Sequence, residues 1–168
     1  MDVPLIEQVK IQAQVLVPLV MALRVELGEE LADDLVRRTL GDIYRRYGQE
    51  FRRRKDEENV GRRMASAFAT YARGGALDYE LREQSHDGVE IAVTRCQYAA
   101  FFKEIGEPEL GFLLVCSADF PLAEGVDPNV KLSRTQTIMQ GASCCDFHYK
   151  RVHGHEECAP CPMRTKST

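Results

Sequence analysis

The sequence predicts an α+β fold in which N-terminal helices pack on a small antiparallel sheet, and three observations carry that expectation. Apolar residues recur every three or four positions from Ile6 to Tyr71, the period of amphipathic helices. The spacing then shortens to two between Leu77 and Val93, the period of strands. Helical and strand patterns also come in blocks instead of alternating one for one, which argues against a parallel βαβ sheet.

Taken in order, Ile6, Val9, Ala13, Leu16, Val20, Leu23 and Leu27 form one stripe, and Pro18 allows a bend. Gly28 stops this helix. A second helix from Glu29 carries Leu31, Leu35, Ile43, Tyr47 and Phe51; a third carries Val60, Met64, Phe68 and Tyr71, with Gly74 and Gly75 beyond it. Leu77, Tyr79 and Leu81 alternate with polar residues, as do Val89, Ile91 and Val93, and Asp87-Gly88 is a hairpin turn between them. Tyr98, Phe101, Phe102 and Ile105 return to helical spacing. Pro108 suits the first turn of a further short helix that reaches Val115. Residues 130–139 and 145–149, rich in Thr, Tyr and Phe and separated by Gly141, are expected to form a second antiparallel pair. The core therefore reads ββ-αα-ββ behind three helices.

With 168 residues and 44% hydrophobic content the chain has the size of one domain, expected to run 1–168: a helical part to residue 75, an α+β part over 76–150 and an irregular tail over 151–168. Its 22 basic and 26 acidic side chains leave a net charge of −4, so neither nucleic acid nor an anionic membrane is an expected partner. A small-molecule substrate is. The one basic run, Arg52 to Lys55, is cancelled by Asp56, Glu57 and Glu58. The longest apolar stretch, residues 15–23, is shorter than a membrane span, and no signal-peptide pattern opens the chain, so a cytoplasmic location is expected. Its six cysteines then read as thiols, metal ligands or nucleophiles and not as disulfides. The helical stripes can pack on the chain's own sheet or pair with a second copy as a homodimer.

The residues able to do chemistry cluster from Cys96 to His148. Thr94 can cap the helix that follows the second strand, which puts Cys96 in a first turn whose N–H groups and dipole favour a thiolate. The competing reading is a small buried apolar residue. Cys116 follows the end of the next helix, where the dipole disfavours negative charge. Asp119, in the loop Cys-Ser-Ala-Asp-Phe-Pro, can cap a turn, act as general base, or accept paired N–H groups from an amidine-like substrate. On the last strand Cys145, Phe147 and Tyr149 share one face while Asp146 and His148 share the other.

Thr94-Arg95-Cys96-Gln97-Tyr98, Gly106-Glu107-Pro108-Glu109-Leu110-Gly111, Cys116-Ser117-Ala118-Asp119, Arg134-Thr135-Gln136-Thr137 and Gly141 leading to Cys145-Asp146-Phe147 together resemble the L-2-amino-thiazoline-4-carboxylic acid hydrolase family. The resemblance covers residues 77–149. It implies hydrolytic opening of a cyclic isothiourea to N-carbamoyl-cysteine, without a cofactor. It further implies Cys96 as nucleophile, Asp119 as substrate anchor or base, and Cys116 and Cys145 beside them at the catalytic centre. Thr135, Thr137, Asp146 and His148 are the implied substrate-binding candidates, Thr135 as a donor to the substrate carboxylate.

Two rival classes remain open. Cys96, Cys116, Cys145 and Asp119 can supply a tetrahedral ligand set, and His153, His155, Cys158 and Cys161 form a separate close-spaced candidate for zinc. Alternatively the chain is a non-catalytic module that binds a metabolite and returns it unchanged.

Overall fold

The computed structural model describes residues 3–54 and 59–152, and the fold is α+β: helices on one face of a four-stranded antiparallel sheet. The His153, His155, Cys158 and Cys161 set lies outside the described residues. Helices α1 (Leu5–Leu27) and α2 (Glu29–Arg54) are joined at Gly28, whose φ of 83° is a backbone conformation that a side chain would strain. Helix α1 continues through Pro18 for 23 residues and stops at Gly28, as the stripe from Ile6 to Leu27 predicts. By length and composition it would suffice to cross a membrane, but Ile6, Ala13, Val17 and Val20 are buried in a cluster with Tyr98, Phe102 and Leu110.

In α2 the buried line is Ala32, Val36 and Gly48, one position away from the expected one, and Leu31 and Leu35 are exposed. Small residues win there because another helix comes close. Helix α3 (Val60–Ala72) starts at Asn59, whose side chain accepts the Arg62 N–H at 2.9 Å. It buries Val60, Met64, Ala67 and Phe68 against the sheet.

Strands β1 (Leu77–Gln84) and β2 (Gly88–Cys96) form the expected hairpin, and β3 (Val130–Ser133) and β4 (Cys145–Arg151) the second pair, in the order β1-β2-β4-β3. Ile91 stands opposite Phe147 and Val93 opposite Cys145, so the inner face presents a continuous apolar surface to α3. Between the pairs lie α4 (Gln97–Glu104), α5 (Pro108–Leu114) and α6 (Asp119–Val126). Two expectations are corrected. The strand expected over 130–139 ends at Ser133, because the Thr135 and Gln136 N–H groups turn to the Asp146 carboxylate and residues 138–140 coil into a 3₁₀ turn. The segment expected as a loop around Asp119 is the start of a helix, since Pro121 falls in its first turn, where no N–H is needed.

Helix α6 reaches its place through two glycines. A Cβ on Gly48 would overlap the Leu122 carbonyl oxygen, and one on Gly125 would overlap the Arg45 carbonyl, so the α2 and α6 backbones touch. Buried Arg63 and Asp127, 2.6 Å apart, tie α3 to the far end of α6. These contacts fix the helix whose first residue is Asp119. Gly125→Ala is therefore expected to lower stability by about 1–3 kcal/mol, through overpacking against backbone that cannot yield. Urea unfolding measures this, and Gly28→Ala, which meets no neighbour, is the control for conformational strain alone.

Candidate active site

Helices α1, α2, α3 and α6 and the inner face of the sheet enclose a cavity of about 290 Å³, close to the lower end of small-molecule sites. Val93, Phe147, Phe68 and Leu122 make its walls apolar. Its polar atoms come from Gln8, Gln12, tyrosines 44, 47, 71, 98 and 149, three cysteines, Asp119 and Arg134. Asp119 and Arg134 are the charged residues among those lining it.

Asp119 is held from two sides. Arg134 Nη1 donates to its Oδ2 at 2.5 Å while Nη2 donates to the Cys116 carbonyl at 3.1 Å. The Arg134 side chain is 3% exposed, and its guanidinium stands 5.1 Å from the ring centre of Phe147, 5.3 Å from Phe120 and 5.8 Å from Phe112. An arginine so enclosed needs its carboxylate, because water cannot solvate it. Asp119 retains 29% exposure, directed at the cavity it lines. Burial pushes its carboxyl up to about 6, and Arg134 only partly offsets that rise. Oδ2 is engaged by Arg134, which leaves Oδ1 for a molecule in the cavity.

Three thiols surround this pair. Cys96 ends β2 and is itself the cap of α4, a place expected for Thr94: its Sγ accepts the Ala99 N–H at 3.4 Å. Thr94 instead donates to the Asp78 carbonyl at 3.4 Å. Burial raises the Cys96 thiol, against the lowering by the Ala99 and Tyr98 N–H groups, so the expected ready-made thiolate is corrected. Cys145, on β4, accepts the Ile138 N–H at 3.2 Å, yet burial takes it to about 11. Cys116, in the 3₁₀ turn between α5 and α6, is raised well above the ordinary thiol range, by burial and then by Asp119. Among the described residues no three His, Cys, Asp or Glu side chains stand close enough to hold a metal ion.

The remaining sequence candidates lie elsewhere. Asp146 and His148 point to the opposite face of the sheet, as strand alternation requires, where His148 Nδ1 is 3.1 Å from Glu90 Oε1. Asp146 accepts the Thr135 hydroxyl at 2.6 Å together with the Thr135 and Gln136 N–H groups. Partial burial alone would raise its carboxyl, but those donors outweigh it and hold it low. Thr137 is buried, accepts the Gln140 N–H at 3.1 Å and caps the 3₁₀ turn. None of Thr135, Thr137, Asp146 and His148 lines the cavity; Thr135, Thr137 and Asp146 hold the loop next to Arg134.

Residues 8–149 match the family model described as L-2-amino-thiazoline-4-carboxylic acid hydrolase. The chain belongs to that family. A search of the curated proteins finds no match. The family match runs from α1 to β4 of this hydrolase-family chain and so includes every residue that lines the cavity except Leu5, whereas the sequence resemblance began only at residue 77.

Sequence reasoning missed Arg134 and the tyrosines as parts of the site. Arg134 stood inside a quoted motif, and its signal was a lone arginine directly after the apolar alternation of Val130 and Leu132. Burial holds Tyr44, pushed up to about 12, as a neutral hydroxyl, and raises Tyr71, Tyr98 and Tyr149 as well.

The thiol environments have a direct readout. At neutral pH, Cys145 is expected to alkylate with iodoacetamide about 100-fold more slowly than an ordinary thiol, with Cys116 slow as well and both rates rising steeply above pH 9. Peptide mass mapping over time checks this; fast labelling of Cys116 at pH 7 would contradict the burial argument.

Proposed function

We propose that this chain hydrolyses L-2-amino-thiazoline-4-carboxylate, or a closely related small cyclic amidine, to the N-carbamoyl amino acid. The observation that supports it is Asp119: a carboxylate with one free oxygen, paired to a buried arginine, inside a small neutral cavity lined by three thiols. Family membership supplies the hydrolase class.

The ring carbon between sulfur and nitrogen is electron-poor and carries N–H groups. Asp119 Oδ1 accepts one of these, which places the carbon among the thiols. Cys96 is the assigned nucleophile, because its Sγ faces backbone N–H groups at the start of α4 that favour the charge of a departing or attacking thiolate. Its raised pKa means that it must lose a proton as it attacks, and Asp119 is the acceptor within the cavity. The C–S bond of the ring then breaks, and the ring sulfur leaves and takes a proton. Water next adds to the isothiouronium carbon on Cys96, Asp119 receives its proton, and the Cys96 thiol is released as the urea forms. Cys116 and Cys145 complete the neutral wall around the reacting carbon, and no metal or cofactor takes part.

The product carries a thiol that the substrate lacks, so turnover is read with a thiol reagent on the protein-free filtrate. Asp119→Asn is expected to lower kcat/KM by at least about 100-fold, the lower range for a general base. Cys96→Ser is expected to do the same, whereas Cys145→Ser should retain most activity. Unchanged turnover in Asp119→Asn would remove the proposal. Because Asp119 acts ionised, kcat/KM should rise with pH through about 6 and level above it. A profile already flat between pH 4 and 7 would show that a different group takes the proton.

A further inference from the structure

The outer face of α1 is apolar and has no partner among the described residues. Ile11 is 62% exposed, Val15 67% and Val25 83%; Leu19 and Met21 are about half exposed, and Pro18 and Ala22 are exposed too. Residues 11–23 contain no charged side chain. Ile11, Val15, Pro18, Ala22 and Val25 follow one another at intervals of four, three, four and three, the spacing of a seam that packs against another helix. The inner face is already used, because Leu5, Val9 and Gln12 line the cavity and Ile6, Ala13 and Val17 are buried.

We propose that this seam is the two-fold interface of a homodimer in which α1 packs antiparallel on α1 of a second copy, with Pro18 at the axis.

The seam fits itself when reversed. Ile11 then meets Val25 of the partner subunit, Val15 meets the partner's Ala22, and Pro18 meets the partner's Pro18, so each layer pairs a larger with a smaller or equal side chain. No like charges oppose each other through the centre. Pro18 belongs on this face: an interior proline costs a helix about 3 kcal/mol, and an exposed one secures no core contact in return, which a contact at the axis would explain.

Extent points the same way. The exposed surface of Ile11, Val15, Leu19, Met21 and Val25 amounts to roughly 600 Å² per chain, at the upper limit of apolar patches on monomers, and two copies reach the roughly 1,200 Å² where specific interfaces begin. A membrane surface fits less well. Interfacial helices carry Lys and Arg along their polar edges, whereas α1 has only Lys10 and Arg24, bonded to Glu7 and Asp33. Residues 153–168 offer Met163 and little else apolar to cover the seam from within the chain.

Sedimentation equilibrium of the full chain between about 1 and 200 µM tests the proposal, since an interface of this size is expected to associate within that range. The expected result is a species of twice the 19.0 kDa chain mass that reverts to monomer in Val15→Glu. Circular dichroism confirms that the variant keeps its helices. As an independent arm, Pro18→Cys should form a disulfide-linked dimer under mild oxidant, whereas Thr39→Cys, exposed on α2, should not exceed the wild type. A wild-type chain that is monomeric throughout would overturn the inference, as would a dimer indifferent to both substitutions. A monomer that co-sediments with anionic vesicles through Val15 would assign the face to a lipid surface instead.

Discussion

A buried arginine that cannot be left without its carboxylate governs the arrangement of this molecule. Arg134 is walled in by three phenylalanine rings, and Asp119 is the charge that makes that position tolerable. To meet it, the chain must leave β3 after Ser133, and the Asp146 carboxylate holds the next two N–H groups so that the departure is fixed. From the other side, α6 must begin at Asp119, and the close approach of Gly48 and Gly125 sets where α6 lies. Strand end, helix start and helix contact thus converge on one ion pair.

The same enclosure sets the chemistry. Burial disfavours charge on the three thiols and on Tyr44, Tyr71, Tyr98 and Tyr149, and pushes the Asp119 carboxyl up to about 6. A site of that kind does not store a thiolate; it moves a proton as the bond forms. That suits a substrate whose electron-poor carbon is flanked by N–H groups, because the carboxylate that orients the substrate also serves as proton acceptor. The cavity carries no excess charge, which disfavours polyanions and leaves room for a small zwitterion.

Much of this organisation was legible in the sequence. The change of period from 3.6 to 2 near residue 75 located the passage from helices to sheet, and strand alternation alone separated Cys145 from Asp146 and His148. The family resemblance had brought Cys96, Cys116, Asp119 and Cys145 together, and all four line the cavity. What was not legible depends on contacts distant in the chain. The buried line of α2 includes Gly48 because the α6 backbone presses on it and Val36 because it packs in the cluster with α1 and α5, contacts that no local pattern announces. Helix α6 was hidden because its Pro121 and Gly125 resemble loop residues, although one stands in the first turn and the other fills a helix crossing. Arg134 carries no local sign of its aromatic enclosure, which comes from Phe112, Phe120 and Phe147. Cys96, read as activated by a helix start, is dominated by burial, which sequence position does not report.

The most direct test of this account is the ionisation of Asp119 itself, followed by carbon NMR of its side-chain carboxyl in the substrate-free protein and assigned by its loss in Asp119→Asn. The account predicts a midpoint near 6, brought about by burial beside Arg134. A midpoint at the ordinary value of 3.8 would mean that burial raises the carboxyl no further than Arg134 offsets, and would remove the poised proton acceptor on which the proposed chemistry rests.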